Sequence, residues 1–290
     1  EKGNALEQTR WRAAAFVMPA SLVTITFLVL PLLLLFRYSL NSFVPGQFMV
    51  DALTLANYGQ AFVDPYYRNV LAKTIVMAAL VTVLCILLGL PIAQFLARTQ
   101  SRFKSLLLLC IIVPLFVGNA VRAAGWMVAF GQQGLVNQLG LATGVLNAPV
   151  DIMYTPVAVL IGLVSVNLPF VVLTIQSVLE GIDRSAEEAA LSLGAKSFET
   201  WRLVTLPQAM PGVLAAAVLS FILAMNAYAT PMLLGGPGFR MMAPVLADEI
   251  LVKNNWPLGA TLALLLIAVT TILTLIINRV LVRVRRRLGS

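Results

Sequence analysis

The sequence predicts an all-α membrane protein, a bundle of six transmembrane helices, and three observations predict it. Its residues are 60% hydrophobic and 11% charged, whereas soluble domains run at about 45–50% and about 25%. The charges gather in clusters between long runs that lack them. Those runs are continuously apolar rather than alternating, so they read as spanning helices and not as strands of a barrel.

The first run, Ala13 to Phe36, has no small-residue cleavage site after a short core and reads as a retained span. At 1.5 Å per residue it is about 36 Å long, enough to cross about 30 Å of hydrocarbon with tilt. Further spans are expected over Val70 to Ala97, Ser105 to Phe130, Tyr154 to Leu179, Gly212 to Leu233 and Pro257 to Val282. Pro19, Pro31, Pro91, Pro114 and Pro169 fall inside spans, where each removes a backbone hydrogen bond and invites a kink. No internal repeat is visible. The simplest division is a segment over 1–12, one membrane domain over 13–282 with a polar loop at 180–211, and a basic tail over 283–290.

Lys and Arg fix the orientation. One side of the bundle receives Lys2, Arg10, Arg12, Arg98, Arg102, Lys104, Arg184, Lys196, Arg202, Arg279, Arg283, Arg285, Arg286 and Arg287, which is 14 of the 20. Arg37, Arg68, Lys73, Arg122, Arg240 and Lys253, the other 6, lie in spans or on the opposite side. Both termini are therefore expected in the cytoplasm, and the even number of spans agrees, since it puts them on one side. The net charge of +8 follows from this topology. Nucleic-acid binding would need a continuous basic face instead.

Composition also removes function classes. With no histidine there is no imidazole for metal binding, general-base chemistry or a pH switch near neutrality. Cys85 and Cys110 both lie in apolar runs and make no disulfide framework. No His-Glu-x-x-His helix and no Gly-x-Ser-x-Gly elbow is present, and Gly235-Gly236-Pro237-Gly238 reads as an outer turn, lacking the Gly-Lys-Ser/Thr ending of a P-loop. No catalytic residue, no metal site and no cofactor held by this chain are expected.

The loop carries the most information. Ser185 followed by Glu188 reads as a capping box, which starts a helix at Ala186. Glu187 and Glu188 place negative charge in its first turn, and Gly194 can take the left-handed conformation that closes it. Ala189, Ala190, Leu191 and Leu193 offer small and apolar surface to a partner. Ser197 is expected to cap a second short helix through Trp201, ended by Pro207 with Pro211. An amphipathic loop lying in the lipid interface would use the same residues.

The spacing of Glu188-Ala189-Ala190, Gly194 and Leu206-Pro207 resembles the signature of the membrane subunits of binding-protein-dependent ATP-binding-cassette importers, with Val204 where isoleucine is usual. The resemblance runs from Leu55-Ala56-Asn57-Tyr58 to Asn255-Trp256-Pro257-Leu258-Gly259-Ala260, and Tyr154-Thr155-Pro156, Tyr228-Ala229-Thr230-Pro231 and Leu234-Gly235-Gly236-Pro237 look like the spermidine/putrescine-type permeases. The resemblance implies that Ser185, Glu187, Glu188, Ala189, Ala190, Gly194, Leu206 and Pro207 form a coupling element. It implies two cytoplasmic ATPase subunits holding ATP and Mg, a second permease subunit, an extracytoplasmic solute-binding protein and a bacterial inner membrane. The implied solute is a polyamine or related small amine, with opine, amino-acid-like or phosphonate solutes as alternatives.

Polar groups inside spans are costly and face a bundle interior or a wet cavity. Asn119, Arg122, Asn167, Asn226 and Thr230, with Tyr228, are therefore the candidates to line a pathway, and interhelical hydrogen bonding would employ the same groups. Asn226 and Thr230, four apart, are expected to share a helix face. Arg122 is expected either to snorkel outward or to mark an early end of its helix. No carboxylate lies deep in a span, so tight recognition of a cation is expected in the soluble partner. Asp248 and Glu249 read as solvated loop charges. A secondary transporter or channel would show repeat symmetry, matched helix breaks or a ring of ionisable residues, none of which the sequence displays.

Overall fold

Proline and the apolar runs together set the elements of the computed structural model, which describes the backbone of residues 2–288 and the side chains of residues 18–279 except 20 and 48. The side chains of Lys2, Arg10, Arg12, Arg283, Arg285, Arg286 and Arg287, counted above for orientation, lie outside the described residues. In chain order the elements are α1 (Lys2–Ser39), a hairpin of β1 (Ser42–Val44) and β2 (Phe48–Val50), α2 (Ala56–Val63), α3 (Pro65–Arg98), α4 (Lys104–Ile112), α5 (Asn119–Phe130), α6 (Leu135–Ala142), α7 (Pro156–Glu180), α8 (Ser185–Ser192), α9 (Ser197–Thr200), α10 (Leu206–Met225), α11 (Ala229–Leu234), α12 (Met242–Leu251) and α13 (Trp256–Leu288). Among the described residues five helices are long and apolar enough to cross a membrane, and a sixth crossing results if α4 and the following bent segment count as one.

The chain divides into two contact units, residues 1–64 with 246–265, and residues 65–245 with 266–290. In the first, Asn57 is buried and donates through Nδ2 to the carbonyls of Ser39 and Asn41, both at 2.8 Å. Thr261 donates to the Ser39 carbonyl at 3.4 Å. The amide thereby satisfies the backbone where α1 ends, in the way buried polar groups require. β1 and β2 pair antiparallel, Phe43 opposite Met49, a small sheet that the all-helical expectation did not include. Glu249 is 2% exposed and its Oε1 meets Lys253 Nζ at 2.6 Å. The expectation of a solvated loop charge is thus corrected: Glu249 sits on a helix, one turn from the lysine that neutralises it.

In the second unit α3, α7 and α10 pack together. Ala78, Val81 and Cys85 of α3, Val171, Val172 and Ile175 of α7, and Ala216 and Ala224 of α10 are fully or almost fully buried. Small residues let the helices approach, as membrane bundles require. A Cβ on Gly212 would lie 2.8 Å from Val178 Cβ, so only glycine permits that approach.

Two expected spans are interrupted. The predicted helix over Ser105 to Phe130 is broken after Phe116, and its halves, extended through Ala142, bend by 100°. The fifth span begins far earlier than Gly212, at Ser197, and stops at Met225. Asn226 follows the end of α10 while Thr230 lies in α11, so the two do not share one helix face. The kink that Pro114 invites is thus a full break, and a second break follows Met225 inside the run expected to continue to Leu233.

Candidate functional site

The polar loop folds through local hydrogen bonds, though not those expected. Asp183 stands just before α8: its carboxylate accepts from the Ser185 N–H at 3.0 Å and the Ser185 hydroxyl at 2.8 Å. These two bonds hold the Asp183 carboxyl below its ordinary range. The expected Ser185–Glu188 capping box is replaced, because Asp183 engages both groups of Ser185, and the helix begins at Ser185 rather than Ala186. Glu187 and Glu188 do stand in the first turn. At the far end Gly194 has φ +91°. Its N–H reaches the Leu191 carbonyl at 3.0 Å, and the Ala195 N–H reaches the Ala190 carbonyl at 3.1 Å, the two bonds of a Schellman closure.

α8 has two faces. Glu187 and Ala190 are half-buried, while Ser185, Glu188, Ala189 and Gly194 are exposed. Leu193 is 89% exposed and Leu191 48%, beside Phe198 at 67% and Leu203 at 71%. Four large apolar side chains of this loop thus stand open. On the inner face the Glu187 carboxylate binds the Arg98 guanidinium at the end of α3 and accepts from the Thr205 hydroxyl at 2.8 Å. Both side chains of the ion pair are 18% exposed. The Arg98 carbonyl accepts from Arg184 at 3.4 Å, and nearby Lys104 Nζ meets Glu180 at 2.7 Å.

The second short helix differs too. Glu199 accepts from the Lys196 N–H at 3.0 Å, so Ser197 is inside the helix rather than its cap. Pro207 and Pro211 do not end it. A wide turn over Trp201–Thr205 connects α9 to α10, and Leu206 and Pro207 open α10, where a proline lacking an N–H costs little. Sequence reasoning missed Arg98 and Thr205, which lie 89 and 18 residues from Glu187. Asp183, two residues before Ser185 and itself a helix-capping type, was a legible signal.

The pathway candidates meet elsewhere. Asn119, Arg122, Asn167, Asn226, Tyr228 and Thr230 all line one cavity of about 640 Å³. The breaks after Phe116 and Met225 form it, since both interrupted spans contribute their ends. Arg122 does not snorkel; its guanidinium turns back to the break and donates to the carbonyl of Pro114, which also accepts from the Val117 N–H at 3.2 Å, and to the carbonyl of Val117 at 3.1 Å. Asn167 is 1% exposed, its Nδ2 bonded to the Leu163 carbonyl at 2.9 Å and its Oδ1 without a partner. Asn226 Nδ2 bonds the Ile222 carbonyl at 2.9 Å. No carboxylate lines the cavity. Two of the sequence segments singled out above also meet, because the Tyr154 N–H donates to the Leu234 carbonyl at 3.0 Å and its ring lies against Gly236. Among the described residues no cluster could hold a metal ion.

Residues 85–288 match the model of the binding-protein-dependent transport system inner membrane component. The chain is 32% identical over 253 residues to the spermidine/putrescine transport system permease protein PotB of Haemophilus influenzae, covering 87% of each chain. It is 33% identical over 252 residues to the PotB protein of Escherichia coli, covering 87% of this chain and 91% of that one. Its fold is similar to a chain of a bacterial alginate ABC transporter crystallised with an alginate pentasaccharide-bound periplasmic protein, with a TM-score of 0.80, 14% identity and 96% of each chain covered.

Proposed function

Because the chain belongs to the family of binding-protein-dependent transport system inner membrane components, and is thus a multi-pass membrane permease and not an enzyme, we propose that its solute is a polyamine of the spermidine or putrescine kind. The observation that carries this reading is the similarity to permeases named for those solutes over 87% of both chains. The chain binds no cofactor itself. Two cytoplasmic ATPases hold ATP and Mg, a second permease subunit completes the translocator, and an extracytoplasmic binding protein delivers the solute. Both termini face the cytoplasm, which places α8 and its exposed leucines on the side of the ATPases.

Closure of the ATPases moves α8, and the ion pair of Glu187 with Arg98 hands that displacement to α3 while Thr205 hands it to α10. The cavity then opens outward and receives solute from the binding protein. Its lining of amides, hydroxyls and one fixed guanidinium, with no carboxylate, suits passage of a cation rather than its retention, since a multiply charged cation held tightly needs opposing charge. Selectivity accordingly resides in the binding protein. The test is uptake of radiolabelled spermidine and putrescine by cells lacking the chain and by the same cells with it restored. Restored uptake that unlabelled polyamine competes away is expected; cells that accumulate neither, yet import another small solute, would refute the assignment.

A further inference from the structure

The cavity has a continuation that the solute assignment does not use. A second groove, of about 360 Å³, lies between the end of α10 and the middle of α13, and it is lined by Asn226, Thr270, Thr271 and Thr274 among apolar neighbours. Asn226 and Ile222 line both spaces. Thr270 is 6% exposed, and the hydroxyls of Thr270 and Thr274 have no hydrogen-bond partner. A threonine in a membrane helix ordinarily returns its hydroxyl to the carbonyl one turn back, as Thr74, Thr82 and Thr174 do here at 2.7–2.8 Å. Two unreturned hydroxyls in the apolar middle of a span are costly unless water or a solute meets them.

We propose that the threonine groove is the second station of the solute path: a polar solute leaves the Arg122 cavity past Asn226 and is passed to the hydroxyls of Thr270 and Thr274. Hydroxyl and amide oxygens accept from ammonium N–H groups, and the groove lies beyond the one fixed cation of the first cavity. An amine therefore moves from a repelling chamber into an accepting one. This rests on the reading of the chain as a solute-passing permease; only the ammonium chemistry depends on the polyamine assignment.

The test uses the complete transporter, with its ATPases and binding protein, in proteoliposomes. In a background with Cys85→Ala and Cys110→Ala, single cysteines are placed as Asn226→Cys, Thr270→Cys and, as a control on a different face of α13, Ile272→Cys, whose native side chain is 55% exposed. A small cationic methanethiosulfonate reacts only where water reaches the thiol. Thr270→Cys and Asn226→Cys should react at least roughly tenfold faster than Ile272→Cys, since thiolate chemistry needs hydration. Equal rates at positions 270 and 272 would overturn the proposal. So would a Thr270→Cys that cross-links to the second permease subunit and stays closed to the reagent with and without ATP, because the groove would then be a subunit interface. Independently, Thr270→Val with Thr274→Val keeps side-chain shape and should lower uptake by roughly fivefold for each acceptor used, while ATP hydrolysis stimulated by the loaded binding protein persists. Unchanged uptake would overturn it as well. A wrong solute assignment gives a different signature: labelling at position 270 is unaltered, but no polyamine is imported.

Discussion

Replacing Arg98 by alanine removes the one cation that faces Glu187 from α3 and leaves the carboxylate with the Thr205 hydroxyl alone. Surface ion pairs contribute about 0–1 kcal/mol, whereas removing one partner of a buried pair costs about 3–5 kcal/mol. With both side chains 18% exposed, the pair lies between those limits, and a charge-assisted bond of about 2 kcal/mol is the working value. That lowers the ratio of anchored to free α8 by about thirtyfold. The loss is local, because the cores of α3, α7 and α10 do not include the pair. In the reconstituted transporter Arg98→Ala should therefore keep the protein in the membrane and keep ATP hydrolysis, but reduce solute imported per ATP. Amide exchange over Ser185–Ser192 should quicken by a similar factor. A double-mutant cycle with Glu187→Ala should return a coupling of about 2 kcal/mol, and the exchanged pair Arg98→Glu with Glu187→Arg should recover part of the transport. Unchanged import per ATP and unchanged exchange in Arg98→Ala would refute the anchoring argument.

Three further outcomes follow from the same loop. Gly194→Ala places a Cβ at φ +91° and should cost about 1 kcal/mol at the end of α8, seen as faster exchange of the Gly194 and Ala195 amides and as weaker transport. Glu188→Lys reverses an exposed charge in the first turn of α8; transport should fail while membrane-fraction yield and thermal stability stay at wild-type levels. Asp183 has its carboxyl lowered by the Ser185 N–H and hydroxyl, so its cap is fully present above the unfolded carboxylate value and is lost as pH falls through the lower folded one. Protection of the Ser185 amide should accordingly persist through mild acid and disappear only below the ordinary carboxylate range. Asp183→Ala should lack that protection at every pH.

The spans were readable in the sequence wherever an apolar run also carried the packing, as in α3 and α7, whose observed ends lie within a few residues of expectation. The break after Phe116 was readable in part: Pro114 marks the place as a kink, but Val117 and Gly118 sit in a run as apolar as its neighbours and hide that the span is interrupted. A second signal lay in Arg122, a charge inside the apolar run whose guanidinium turns back to the Pro114 and Val117 carbonyls at the break. Pro207 misled for the opposite reason: proline is well tolerated in a first turn, and a wide turn at Trp201–Thr205 moved the start of α10 to meet it, while Pro211 lies inside α10 without ending it. The polar residues of the cavity could be nominated by their cost in lipid, yet their meeting depends on two helix breaks distant in sequence. Glu187 and Arg98 are a similar case. Each was visible as a charge, and only the fold joins residues 89 apart.

Adjacent carboxylates on α8 answer to different masters. Glu187 is committed to its own chain, so any change there must be matched by Arg98 or Thr205. Glu188, one codon away, points to solution and can drift in step with whatever binds from outside. A hundred-degree turn of backbone thus lets an assembly revise its engine mount without retuning the gearbox behind it.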